Sequence, residues 1–143
     1  MNDKKLVVWR GFLRAYSTIM KKLAQDLQAE HGLALTWYDV LVQLYKAEGQ
    51  GLSMQALADG VILSQSGLTR LVDRMVTAGL VERHYCEVDR RVCYAKLTAE
   101  GVILLEKVRP TVWQRVDDYF LRHVDAEAAE VLGRTFSRMI EPL

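Results

Sequence analysis

The sequence predicts a mainly helical fold with one small β-hairpin. Three observations carry this. Apolar residues recur at steps of three and four at both ends of the chain and in shorter stretches between. Ser, Thr and Asp stand before these stretches and Gly stands after several of them. Only residues 80–97 lean toward β structure. The chain has 143 residues, half of them apolar and 26% charged, with nine Gly and two Pro. That composition supports a core and excludes a disordered or collagen-like chain. The length fits one domain or two small joined lobes.

Leu6, Trp9, Leu13, Tyr16, Met20, Leu23 and Leu27 form one stripe, broadened by Phe12 and Ile19. They predict a long amphipathic helix ending before Gly32, its stripe most stable when covered by a partner. Thr36-Trp37-Tyr38-Asp39 reads as a capping box opening a second helix that runs to about Lys46. Ser53 caps a short third helix, which Gly60 breaks. Ser64 caps a fourth, with Leu68, Leu71, Val72, Met75 and Val76 as its buried stripe and Gly79 as its stop. Leu80–Tyr85 and Val92–Leu97 predict a hairpin with a charged tip. Thr98 caps a fifth helix, in which Pro110 is expected to kink or interrupt the chain. Asp125 caps the last.

No apolar run approaches the roughly 18 to 20 residues of a membrane span. The first residues show no secretory pattern, so a cytoplasmic location is expected, with no membrane partner. Cys86 and Cys93 read as reduced thiols. They flank the hairpin tip, and a one-residue change in strand register decides whether they share a face.

The net charge of +1 gives little attraction to a polyanion. Its distribution is uneven: residues 1–30 carry +3, 31–63 carry −2, 64–96 carry +2 and 97–143 carry −2. In 64–96 five of six basic groups are arginine, the residue better suited to phosphate and base recognition.

Two short helices joined by a turn near residues 60–63, the second with a polar face, describe a helix-turn-helix, and the hairpin makes it winged. Such a helix fits the major groove. Gln65, Ser66, Thr69 and Arg70 are hydrogen-bonding groups at its N-terminal end, suited to base edges. Ser64 and the first amides suit a phosphate, and Arg74 suits backbone. An arginine at the wing tip can enter a narrow minor groove.

With these residues in place, the sequence resembles the MarR family of bacterial transcription regulators. Leu71-Val72-Asp73-Arg74-Met75, Ala78-Gly79-Leu80-Val81-Glu82-Arg83, Asp89-Arg90-Arg91 and Leu97-Thr98-Ala99-Glu100-Gly101 follow in order. The resemblance implies a winged helix-turn-helix plus a helical dimerisation region from both termini. Residues 1–32 and 99–143 would dimerise and 33–98 would bind double-stranded DNA. It further implies a homodimer on a near-palindromic site, with Asp89 orienting basic side chains and Arg90 or Arg91 probing the minor groove. Gly67, expected in the first turn of the recognition helix, and Val88 with no proline at the wing tip depart from many relatives.

The resemblance also implies a transcriptional regulator, a repressor relieved by a small aromatic effector. The expected pocket lies between the DNA-binding lobe and the dimerisation helices, with Trp9, Phe12, Tyr16 and Tyr38 as wall residues. The first helix has no cysteine, which disfavours the family's oxidant sensing there. His31, His84 and His123 are scattered, so no metal site is expected. No cofactor and no enzymatic activity are expected, because no phosphate loop, nucleophile elbow or set-apart carboxylate pair is present. The alternative is a winged-helix protein without ligand response, an architectural DNA binder or an anti-repressor acting through protein contacts.

Overall fold

The computed structural model describes residues 3–62 and 66–142. Its elements are α1 (Asp3–His31), α2 (Leu35–Lys46), a 3₁₀ turn (Glu48–Gln50), β1 (Leu52–Ser53), α3 (Met54–Gly60), α4 (Leu68–Thr77), β2 (Val81–Tyr85), β3 (Cys93–Leu97), α5 (Ala99–Tyr119), a second 3₁₀ turn (Leu121–His123) and α6 (Ala126–Ile140). The chain groups into two units. One holds Ala24–Pro110, the other Met1–Leu23 with Thr111–Leu143.

The first unit contains nearly all of the core. Leu41, Leu44, Leu57, Val72, Met75, Leu105 and Val108 are fully buried, and they come from four different helices. Val72 and Met75 belong to the stripe read for the fourth helix, so there the hydrophobic term and the local pattern agree. The strands form one antiparallel sheet in the order β1-β3-β2. Val81 pairs Leu97 and Tyr85 pairs Cys93. The expected hairpin is there, and β1 adds a third strand through Leu52–Ala95 and Ser53–Tyr94. Two residues are too short a run for periodicity to reveal. Gly51, just before β1, lies so close to β3 that a β-carbon there would collide with the Ala95 carbonyl oxygen.

Several short-range expectations match. The Ser53 hydroxyl accepts the Ala56 N–H at 3.0 Å. The Thr98 hydroxyl accepts the Gly101 N–H at 3.1 Å. The Asp125 carboxyl accepts the Ala128 N–H at 2.8 Å. Each side-chain oxygen satisfies a helix-end donor that would otherwise have no partner.

Others are corrected. The capping box at Thr36–Asp39 does not form: α2 begins at Leu35, after Ala34, with no side-chain cap. Asp39 is buried instead and accepts the Ile62 N–H at 2.8 Å. Pro110 does not interrupt α5, which is continuous from Ala99 to Tyr119. In α4, Val76 is 36% exposed rather than buried. Cys86 and Cys93 are free thiols. The Cys86 N–H bonds the Val92 carbonyl while Cys93 pairs Tyr85, so consecutive side chains place the two sulfurs on opposite faces.

In the second unit, Leu23 and Val112 are the buried hydrophobic residues among those described. Its aromatic residues line up in contact. Trp9 and Phe12 stack at 6.1 Å, Phe12 and Tyr16 at 6.5 Å, and Phe12 meets Phe136 of α6 at 6.3 Å. Arg122 pairs with Asp118, one helical turn before it, and with Asp117 at 3.8 Å. The Lys22 ammonium stands 4.6 Å from the centre of the Tyr119 ring.

Candidate nucleic-acid interface

The helix-turn-helix consists of α3 and α4. Leu68, Val72 and Met75 turn one face of α4 into the core, and Thr69, Arg70, Asp73, Arg74 and Thr77 occupy the exposed side. Arg70 and Arg74 are four residues apart and therefore stand one turn above another. The helix starts later than its sequence suggests. Gly67 is the residue before it, at φ +72°, and belongs to the turn rather than to the first helical turn. Only glycine adopts this left-handed conformation without strain. Ser66 lies in the same turn and is exposed, whereas Ser64 and Gln65 fall outside the described residues.

The other end of α4 is closed by Gly79 at φ +78°. The Gly79 N–H bonds the Val76 carbonyl at 2.9 Å and the Leu80 N–H bonds the Met75 carbonyl at 3.0 Å, a Schellman stop. The Thr98 hydroxyl donates to the Gly79 carbonyl at 2.6 Å while it caps α5. One side chain thus ties the end of the recognition helix to the start of α5.

The wing joins α4 through a residue to which sequence reasoning gave no role. Arg83, on β2, forms an ion pair with Asp73 and donates to the Thr69 carbonyl at 3.3 Å. Arg83 and Asp73 both lie inside recognisable motifs, but no spacing rule links them. Asp73 would otherwise repel phosphate beside Arg70 and Arg74. Paired with Arg83, it is neutralised locally.

At the wing tip the Val92 N–H bonds the Asp89 carbonyl at 3.0 Å, which places Arg90 and Arg91 at the two corners of a four-residue turn. The Asp89 carboxyl accepts the Arg91 backbone N–H at 3.0 Å, its Nε at 3.1 Å and its Nη2 at 3.2 Å. The Arg91 side-chain bond, then its backbone bond, hold the Asp89 carboxyl below the usual carboxylate range. Arg91 is aimed by this fork yet remains 91% exposed. Arg90 has no ion-pair partner among the described residues and borders a wing-side concavity with Tyr85, Cys86 and Glu87. His84 pairs with Glu82 at 2.9 Å on the outer surface of β2.

The residues expected to wall a ligand pocket divide. Trp9, Phe12 and Tyr16 stand together on α1, each roughly half exposed. Tyr38 belongs to the other unit, where the Arg109 guanidinium of α5 acts on its hydroxyl and lies 4.7 Å from the Tyr45 ring centre. Burial pushes the Tyr38 phenol up, and the Arg109 charge and hydrogen bond oppose the shift. Among the described residues, no three His, Cys, Asp or Glu side chains cluster to hold a metal ion. Nor is any described helix long and apolar enough to cross a membrane.

Comparison with known proteins agrees with this geometry. A family model described as MarR family matches residues 31–92, the stretch from the end of α1 to the wing. The HTH-type transcriptional regulator MhqR of Bacillus subtilis (strain 168) is 30% identical over 118 residues, covering 82% of this chain and 79% of its own length. The crystal structure of AbsC, a MarR family transcriptional regulator from Streptomyces coelicolor, superposes with a TM-score of 0.88 at 32% identity, over 97% of this chain and 93% of its own. Sco3205, a MarR family regulator from the same organism solved in complex with DNA, gives 0.88 at 27% identity, over 99% and 91%. Sequence, fold and wing chemistry converge, and the chain belongs to the MarR family of DNA-binding transcription regulators.

Proposed function

We propose that the chain is a sequence-specific repressor that binds a near-palindromic site as a homodimer and is released by a small aromatic ligand. The observation that carries the DNA reading is the pairing of an exposed Arg70–Arg74 face on α4 with a wing whose Arg91 is aimed by Asp89. In this reading Ser64, Gln65, Ser66, Thr69 and Arg70 meet base edges and the nearest phosphate. Arg74 meets backbone, and Arg90 and Arg91 meet the minor groove. The DNA-bound state of Sco3205 supports the same use of the fold.

Dimerisation is supported by the apolar residues that the terminal helices leave uncovered. Trp9 is 55% exposed, Met139 69% and Ile140 81%. A monomer rarely tolerates a large contiguous apolar surface, and a second copy would remove it from water. Residues 1–32 and 99–143 are assigned to this contact, and 33–98 to DNA. The aromatic row of Trp9, Phe12 and Tyr16 supports a planar apolar effector. Such a ligand acts only by preferring the conformation whose recognition-helix spacing does not fit the site. A cytoplasmic, non-enzymatic role fits the regulatory reading.

Selection from a random-sequence duplex pool, followed by gel shift with excess mixed-sequence competitor, tests the proposal. A defined, near-palindromic sequence should be enriched and should survive competition. Equal affinity for all DNA would instead identify an architectural binder.

A further inference from the structure

We propose that Asp39 is a positioning residue for DNA recognition: from α2 it holds the backbone of Ile62 and thereby fixes where the chain leaves α3 on its way to the recognition helix. The proposal rests on the reading of this chain as a sequence-specific DNA binder and adds a residue outside the expected interface.

Three observations meet at this point. Asp39 is 8% exposed, and its carboxyl accepts the Ile62 N–H at 2.8 Å across 23 residues of sequence. Four residues on, on the same face of α2, Gln43 covers Gly60, where a β-carbon would stand 3.1 Å from its Oε1. Between them, Val61 is buried and its N–H closes α3 on the Leu57 carbonyl at 3.0 Å. So α2 meets the exit of α3 at two points, Gly60 and Ile62.

Ile62 itself is 77% exposed, so its side chain does not anchor it. A backbone N–H held by a carboxyl group does so instead. This bond is stronger than one to a neutral acceptor, and leaving the donor without a partner is costly. Only a few residues separate Ile62 from Thr69 and Arg70. Base contacts tolerate misplacement of roughly half an ångström, whereas phosphate contacts are more forgiving. Loss of the Asp39 bond therefore removes specific affinity and leaves mixed-sequence affinity in place. A merely structural residue would lower melting temperature without changing that ratio.

The experiment uses the full chain, a duplex selected by it from a random pool, and a mixed-sequence duplex of equal length. Asp39→Ala is expected to lose about tenfold in affinity for the selected duplex and to stay within about twofold on the mixed one. Asp39→Asn, which keeps an acceptor oxygen in place, is expected to restore most of the ratio. Amide exchange at Ile62 should accelerate in the alanine variant while α3 keeps its protection. If the alanine variant does not fold, Asp39→Glu, which displaces the acceptor by one methylene, is expected to lower the ratio instead. An unchanged ratio, an equal loss on both duplexes, or unchanged exchange at Ile62 overturns the proposal. If the wild-type chain enriches no sequence, the specific-binding reading fails, and the role of Asp39 with it.

Discussion

Arg83 of β2 reaches back to α4, where it pairs with the Asp73 carboxyl and donates to the Thr69 carbonyl. The wing and the recognition helix are thus held by a contact between side chains ten residues apart. The Arg83 side chain is 23% exposed and that of Asp73 53%, so water and salt screen the pair.

The coupling between these two residues should therefore be modest in folding and larger in binding. A double-mutant cycle of Arg83→Ala and Asp73→Ala in urea unfolding is expected to give about 0.2–1 kcal/mol. On DNA, Asp73→Ala alone should not simply gain affinity from the lost negative charge, because the wing loses its tether. A gain like that of removing any exposed carboxylate would show that the contact does not orient the wing.

Asp89 should act through Arg91. Asp89→Ala and Arg91→Ala are expected to weaken DNA binding to similar extents, and the double variant should be little worse than either. Full additivity in gel shifts would separate their roles. The Asp89 carboxyl is held below the ordinary aspartate range, so the Arg91 fork persists from neutral pH down through that range and opens only as pH falls through the lower, folded-state value. Carbon NMR of the Asp89 carboxyl should show its midpoint rise toward the ordinary range in Arg91→Ala.

Removing arginines separates reading from attraction. Arg70→Ala should cost about 1–3 kcal/mol on the selected site and less on mixed DNA, if it meets a base edge. Arg90→Ala and Arg91→Ala should weaken binding and flatten its salt dependence. Binding unaltered by both wing substitutions would remove the wing from the interface.

Tyr38 predicts an alkaline limit. Burial raises its pKa against the opposing Arg109, so the folded state holds the phenol proton more tightly than the unfolded one. The stability this contributes is full below the ordinary tyrosine range and is lost as pH rises through the folded value. Ultraviolet titration, with Tyr38→Phe subtracted, should place Tyr38 above an exposed tyrosine, and Arg109→Ala should move it higher. A Tyr38 midpoint at or below the ordinary range would contradict the burial argument.

The Thr98 junction should be the most sensitive of the helix ends. Thr98→Val removes both the α5 cap and the bond to Gly79, at an expected cost of about 1–2 kcal/mol. Gly101→Ala drives a β-carbon into the Leu80 carbonyl oxygen, at an expected cost of about 1–3 kcal/mol. Denaturant midpoints like those of the wild type would show that the turn relaxes freely.

Interactions that act over a few residues are legible in the chain itself. Ser53, Thr98 and Asp125 cap helices because the N–H groups they accept are three residues away, and Gly79 stops α4 because its own backbone can turn left-handed. The buried row of Leu68, Val72 and Met75, and the exposed face bearing Arg70 and Arg74, follow from helical periodicity. Tertiary structure decided where freely directed polar groups went. Asp39, which local spacing assigns to a cap, bonds Ile62 because the fold buries it beside that donor. Arg83 finds Asp73, β1 joins β3, and Gly67 falls before α4 rather than within it. A hydrogen bond satisfied across many residues leaves no period in the sequence, so only the folded chain can show which partner each group takes.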